Sequence, residues 1–234
     1  MESRIRNLVV ESLFPRFCVS CHKEGSLWCE FCQEIWSFKP LALACGFCGI
    51  EGSSVTCLSC KPTTYLDGLI AYGPYANPVI RNMLHAWKYV GDQSAEPVLK
   101  KWLFREADRM SPPLLPFFIV PVPLHEKRKR ARGFDQAHVF ARWIEQMYGL
   151  PVLPVLKRTI HTQAQARVSG ELRKLGELDQ IFSLDLEYEN GNVPKHVLLC
   201  DDVFTSGATM DAAAKVLKEK GAEKVWGFVI ARGI

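Results

Sequence analysis

Residues 196–210 read HVLLCDDVFTSGATM. An apolar run ends in two adjacent acids, Asp201 and Asp202. Two apolar residues follow, then Thr205, Ser206, Gly207, Ala208 and Thr209, then a helical pattern. In an open α/β sheet, ligands bind beyond the carboxyl ends of the strands. A hydroxyl-rich loop with a glycine, opening a helix, is a phosphate cradle, because backbone N–H groups and the helix dipole both favour an anion. Two carboxylates just upstream can accept hydrogen bonds from a ribose diol, or hold a magnesium ion through water. A phosphate at one end and sugar hydroxyls at the other describe a phosphoribose.

The cysteines are the second constellation. Eight of nine lie between Cys18 and Cys60, as four C-x-x-C pairs: Cys18/Cys21, Cys29/Cys32, Cys45/Cys48 and Cys57/Cys60. Such a knuckle offers two thiolates as two corners of a tetrahedron, and two knuckles complete a structural zinc site. Four knuckles imply two Zn²⁺ with a folding role, since a four-sulfur site has no open position. A disulfide framework would need an oxidising compartment, for which no secretory signal is read. The spacing allows sequential pairing, giving two ribbons in series, or interleaved pairing, giving a cross-braced module. The short gaps favour the sequential form. His22, next to Cys21, is expected to face solvent rather than a metal.

The elements that must position these groups follow from periodicity. Ile5, Leu8, Val9 and Leu13 suggest a short helix before the cysteines. Beyond Pro62, strand patterns at 68–72, 117–122, 152–156, 197–200 and 225–231 alternate with helix patterns at 77–89, 96–110, 134–148 and 209–220. That alternation predicts an α/β fold with a parallel sheet flanked by helices. The expected division is a small zinc-binding module at 1–61 and an α/β domain at 62–234. Between the second strand and the third helix, Lys127, Arg128, Lys129, Arg130 and Arg132 form a basic loop suited to a ligand with several negative charges. A second loop, 158–173, offers Arg167 and Arg173.

Composition narrows the class. The chain has 234 residues, 48% hydrophobic and 23% charged, which excludes disorder, collagen and coiled coil. No apolar run approaches the roughly 18 residues of a membrane span. The formal net charge is +4. Eight thiolates and two Zn²⁺ would bring it to about zero. Residues 1–60 carry five Lys and Arg against six Asp and Glu. The loaded module is therefore acidic, and overall basicity is no argument for DNA binding.

The segment 196–210 resembles the phosphoribosylpyrophosphate (PRPP) motif of type I phosphoribosyltransferases. The resemblance implies that Asp201 and Asp202 hold the ribose hydroxyls and that Thr205 to Thr209 wrap the 5′-phosphate. It implies Mg²⁺ bound with PRPP, and Arg132 and Arg128 as pyrophosphate ligands. Members acting on 6-oxopurines carry a carboxylate where Thr205 stands, so such an acceptor is disfavoured. Nearly the whole chain resembles the ComF family of amidophosphoribosyltransferase-like competence proteins, which carry an N-terminal double zinc ribbon. The resemblance rests on the cysteines, Lys88-Tyr89-Val90-Gly91-Asp92, Pro121-Val122-Pro123-Leu124, Arg132-Gly133-Phe134-Asp135-Gln136-Ala137 and the PRPP motif. Asp135 replaces the usual Asn, and Gly176 stands where an Asn is expected. The family resemblance implies a cytoplasmic phosphoribosyltransferase-like protein linked to natural transformation, with a nitrogen acceptor. Its alternative is a catalytically silent, PRPP-responsive factor that binds single-stranded DNA or docks on helicase or uptake proteins. The chain ends soon after its last strand, so the acceptor-binding hood is expected in the N-terminal part. Removing 1–61 is expected to alter acceptor use and to spare PRPP binding.

Overall fold

A computed structural model describes residues 15–35, 41–89, 95–109, 117–159, 181–188 and 193–233. The helix expected on Ile5 to Leu13 lies outside them, as do Arg167, Arg173 and Gly176. The strands are β1 (Gly68–Pro74), β2 (Phe118–Pro121), β3 (Leu156–Arg158), β4 (Phe182–Leu184), β5 (His196–Phe204) and β6 (Lys224–Arg232). The helices are α1 (Glu30–Ile35), α2 (Pro78–Tyr89), α3 (Ala95–Arg105), α4 (Glu126–Arg132), α5 (Gln136–Tyr148) and α6 (Ala208–Glu219). No helix among the described residues is long and apolar enough to cross a membrane.

The main sheet has the order β1-β6-β5-β2, and every pair is parallel. Successive residues of β5 serve opposite faces. Val197 and Leu199 join one core cluster with α6, while Leu198 and Cys200 join the other with α2, α3 and α5. That is why the strand reads as an unbroken apolar run: both faces are covered. Cys200 is fully buried, as an apolar core residue, and burial raises its thiol pKa.

The helices are read well by their patterns. On α2, Val79, Ile80, Met83, Leu84 and Trp87 form one buried face, and Asn77 Oδ1 accepts the Val79 N–H at 2.9 Å. On α5, Asp135 caps the N-terminus by accepting the His138 N–H, and its other oxygen accepts the Leu124 N–H. An N-cap accepts Asn or Asp equally, which accounts for the acid at this position.

Two expectations are corrected. The basic stretch is a helix, α4, and not a loop. It buries no residue, so it shows no apolar period. Its strong helix formers, Glu126 in the first turn and cations in the last turn stabilise it instead, and Gly133 at φ 79° closes it. The expected strand 152–156 is split. Val152 makes one parallel bridge to Ile119, and Leu153 donates to Ile119 O at 2.8 Å. Pro154 lacks the N–H that a ladder needs. Beyond it, β3 turns away and pairs antiparallel with β4.

The cysteine-rich segment packs on this sheet. Cys18, Trp28 and Cys32 belong to the first core cluster, and Gln33 accepts from Lys101 and Arg105 of α3. Further along, Val55 bridges Gly68, Leu69 N–H donates to Ser54 O, and Thr56 N–H donates to Asp67 O, both at 2.9 Å. These bonds cover the otherwise open edge of β1.

Candidate functional site

Strand order reverses between β2 and β5. After β2 the chain crosses through α5 to Val152, on the outer side of β2, whereas β5 and β6 add on the other side. In open α/β sheets, ligand-binding crevices form at such a point, beyond the carboxyl ends of the two diverging strands. Asp201 and Asp202 stand near the carboxyl end of β5, and Val122 N–H, just past β2, donates to Cys200 O at 2.9 Å.

The two acids differ in environment. Asp202 is buried, and its Oδ2 lies 2.7 Å from Lys88 Nζ, with both side chains largely shielded. Asp201 Oδ1 accepts the Asp202 N–H at 2.8 Å. Burial, and then the Asp202 charge, push the Asp201 carboxyl up to about 7, against the opposing pull of that N–H, Lys88 and Arg158. Arg158 in turn is held below its usual value by burial and by Arg128, while Asp201 raises it. Lys88, Arg128, Arg158 and the two acids thus share one electrostatic neighbourhood. Sequence reasoning had chosen Arg128 and both acids, but gave neither Lys88 nor Arg158 a site role. Their signals were the Lys-Tyr motif and a cation two residues beyond the expected strand 152–156.

Arg128 and Arg132 lie one turn apart on α4 and are both half-buried, while Lys127, Lys129 and Arg130 are exposed. Arg132 Nη1 donates to Gln136 Oε1 at 3.0 Å. Being on the helix that follows β2, both arginines belong to the same sheet end as the acids.

The loop after β5 is shaped by Gly207. Its φ is 80°, and a Cβ there would lie 2.4 Å from the Phe204 ring and 2.8 Å from Phe47. Thr205, Ser206 and Thr209 are exposed, and Ala208 opens α6. The first-turn N–H groups of a helix have no intrahelical carbonyl. The loop therefore exposes hydroxyls beside the positive dipole end of α6, just past the carboxyl end of β5.

Two cysteine clusters occur: Cys18, Cys21, Cys29 and Cys32, and separately Cys45, Cys48, Cys57 and Cys60. Pairing is sequential. In each cluster the sulfurs all lie within 4.8 Å of one another, with Cys21–Cys29 at 3.7 Å and Cys48–Cys57 at 3.5 Å. Tetrahedral zinc with Zn–S bonds of about 2.3 Å separates its sulfurs by about 3.8 Å. The donor sets therefore fit two structural zinc ions, each held by its own four thiolates. His22 belongs to neither cluster. It is exposed, and its φ is 58°.

Comparison with curated proteins finds competence protein F of Haemophilus influenzae (strain ATCC 51907 / DSM 11121 / KW20 / Rd), 30% identical over 92% of this chain and 96% of that protein. DNA utilization protein YhgH of Escherichia coli (strain K12) is 29% identical over 93% of this chain and 97% of its own. Competence protein ComFC of Bacillus subtilis (strain 168) is 29% identical over 67% of this chain and 61% of its own. No family model matches the chain.

Proposed function

The chain belongs to the competence protein F (ComF) family, and from that premise we propose that it is a cytoplasmic protein that binds PRPP with Mg²⁺ and transfers phosphoribose to a nitrogen acceptor in support of DNA uptake. The observation that carries the reading is the order acid, acid, glycine loop, helix at the reversal of strand order. Asp201 and Asp202 would hold the ribose hydroxyls. Thr205, Ser206, Gly207, Ala208 and Thr209 would wrap the 5′-phosphate against the start of α6. Arg128 and Arg132, with Arg158, would face the pyrophosphate.

The acids are hard oxygen donors at a strand end, which suits a water-bridged Mg²⁺. Bound there, the ion would supply charge neutralisation on the pyrophosphate. In the reaction, the C1–O bond of PRPP breaks and its electron pair leaves with pyrophosphate. The acceptor nitrogen forms the new bond to C1, and its proton passes to the departing pyrophosphate or to solvent. The transition state carries positive charge at the ribose, and carboxylates fixed beside it would stabilise that charge electrostatically.

A second reading has its own support. Phe17, Phe31, Ile35, Leu43, Ile50, Val55 and Leu58 of the cysteine-rich segment are exposed. A catalytically silent adaptor that answers to PRPP and docks on DNA-uptake proteins would use such exposed apolar side chains. Single-stranded DNA as its ligand has weaker support, because the loaded module is acidic.

Calorimetry with PRPP and Mg²⁺ tests the shared premise. Wild type should bind, and Asp202→Asn should bind at least tenfold more weakly. Absence of binding by wild type would overturn it. Pyrophosphate release across a panel of bases, amines and nucleic acids then separates enzyme from adaptor.

A further inference from the structure

The two zinc ribbons are built alike, yet they sit on different parts of the molecule. CVSCHKEG at 18–25 and CGFCGIEG at 45–52 share the pattern C-x-x-C-x-x-E-G. Their backbone bonds repeat. Cys18 N–H donates to Lys23 O and Cys45 N–H to Ile50 O, both at 2.9 Å, and the bridges Phe17–Glu24 and Ala44–Glu51 correspond. The knuckle interiors differ: Val19 and Ser20 in the first ribbon, Gly46 and Phe47 in the second.

Both differences are explained by what the second knuckle touches. A Cβ on Gly46 would lie 3.0 Å from Leu69 Cβ, so glycine lets the knuckle approach β1 this closely and a larger residue would push Leu69 aside by a few tenths of an ångström. Phe47 meets Phe204 edge-on, with ring centroids 5.6 Å apart, and closes over the Cα of Gly207. The carbonyl of Cys45 accepts from Arg232 Nη2 at 2.6 Å, and Arg232 is the buried partner of Phe204 across β5 and β6. One knuckle thus reaches the base of the phosphate loop, its glycine and the neighbouring strand end. The first ribbon makes its contacts at α3 and the first core cluster.

We propose that the second ribbon is a wall of the 5′-phosphate loop, with Phe47 as the positioning residue, so that metal in this ribbon and a phosphate ester in the loop favour each other. The proposal rests on the PRPP-binding reading. Cys45 and Cys48 bracket Phe47, and a tetrahedral clamp on them fixes where the ring points. Released from the clamp, the ring no longer holds Phe204 and Gly207 in place. Coupling of this kind is reciprocal: if the metal helps the loop bind, the occupied loop must raise the ribbon's affinity for the metal by the same factor. The first ribbon, lacking an aromatic at this position, does not take part.

The test follows, at equilibrium, the partition of zinc between the full, zinc-loaded chain and a competing chromogenic chelator, with and without PRPP and excess Mg²⁺. PRPP should raise the affinity for one zinc equivalent by about fivefold or more and leave the other unchanged. Phe47→Ala, still loaded with two equivalents, should lose that protection, and Phe31→Ala on the first ribbon should keep it. Amide exchange of residues 204–210 should rise several-fold in Phe47→Ala without any ligand. Equal protection of both equivalents, or of neither, in a protein that binds PRPP by calorimetry would overturn the linkage. Unchanged exchange in Phe47→Ala would overturn the wall itself. Wild type that binds no PRPP would fail the functional reading and the linkage with it, and the exchange measurement alone would then decide the wall.

Discussion

Two neighbouring carboxylates can be driven apart by their surroundings, and Asp201 and Asp202 are such a pair. Lys88 neutralises Asp202 at 2.7 Å. Asp201 has the protonated form favoured by burial and by its neighbour, up to about 7. Its folded value thus lies above the unfolded one, so the native state binds more protons between about pH 4 and 7. Stability from this residue is full below that window and is lost as pH rises through it. Asp201→Asn removes the titration. Urea denaturation without ligand should find the variant more stable than wild type at pH 7.5, by on the order of 1–2 kcal/mol after allowance for partial solvent access. The two should be nearly equal at pH 4.5. A variant equally destabilised at both values would show that Asp201 is not strained in the empty site.

At the scale of elements, the turn from β5 into α6 sets the geometry of the loop. Gly207 combines a left-handed φ with contact against Phe204 and Phe47. Alanine there would meet roughly 1 kcal/mol of backbone strain and a further 1–3 kcal/mol of overpacking. Gly207→Ala should therefore lower stability by about 2–4 kcal/mol in denaturant and weaken PRPP binding beyond detection. Retained binding would show that the phosphate is held elsewhere. This turn was legible in the sequence, because an apolar strand, a glycine loop and a helix are contiguous. So were α2 and α5, whose buried faces print a helical period. The helix α4 was not legible, because it buries nothing, and β3 was hidden by Pro154. Lys88 escaped because its partner lies 114 residues away and only the packing of α2 on the sheet brings them together. The doubled C-x-x-C-x-x-E-G pattern was present in the sequence, but its meaning depends on Gly46 and Phe47, whose contacts are tertiary.

At the scale of the whole molecule, the cysteine-rich segment and the sheet are joined by more than chain continuity. Asp67, at the junction, accepts from Lys61, from Lys218 of α6 and from the Val225 N–H, and these partners hold its carboxyl below the usual range. Asp211 Oδ1 accepts the N–H groups of Tyr65 and Leu66. The second ribbon covers the β1 edge and packs Phe47 on Phe204 beside the Gly207 loop, and the first places Trp28 in the core. A chain beginning at Pro62 would keep all of residues 196–210. It would lose the Lys61 pair, the ladder to Ser54 and Thr56, the Cys45 bond to Arg232 and the Phe47 wall. It would also expose a sheet edge that templates aggregation. Such a fragment should melt at least about 10 °C below the zinc-loaded chain and fail to bind PRPP. That departs from the expectation that removing 1–61 changes only acceptor use. Scanning calorimetry and PRPP titration on the fragment decide between the two. A soluble fragment with an unchanged midpoint and unchanged affinity would mean that the ribbons serve the acceptor or a partner alone, and that the contacts at Gly207 and Arg232 carry no energy.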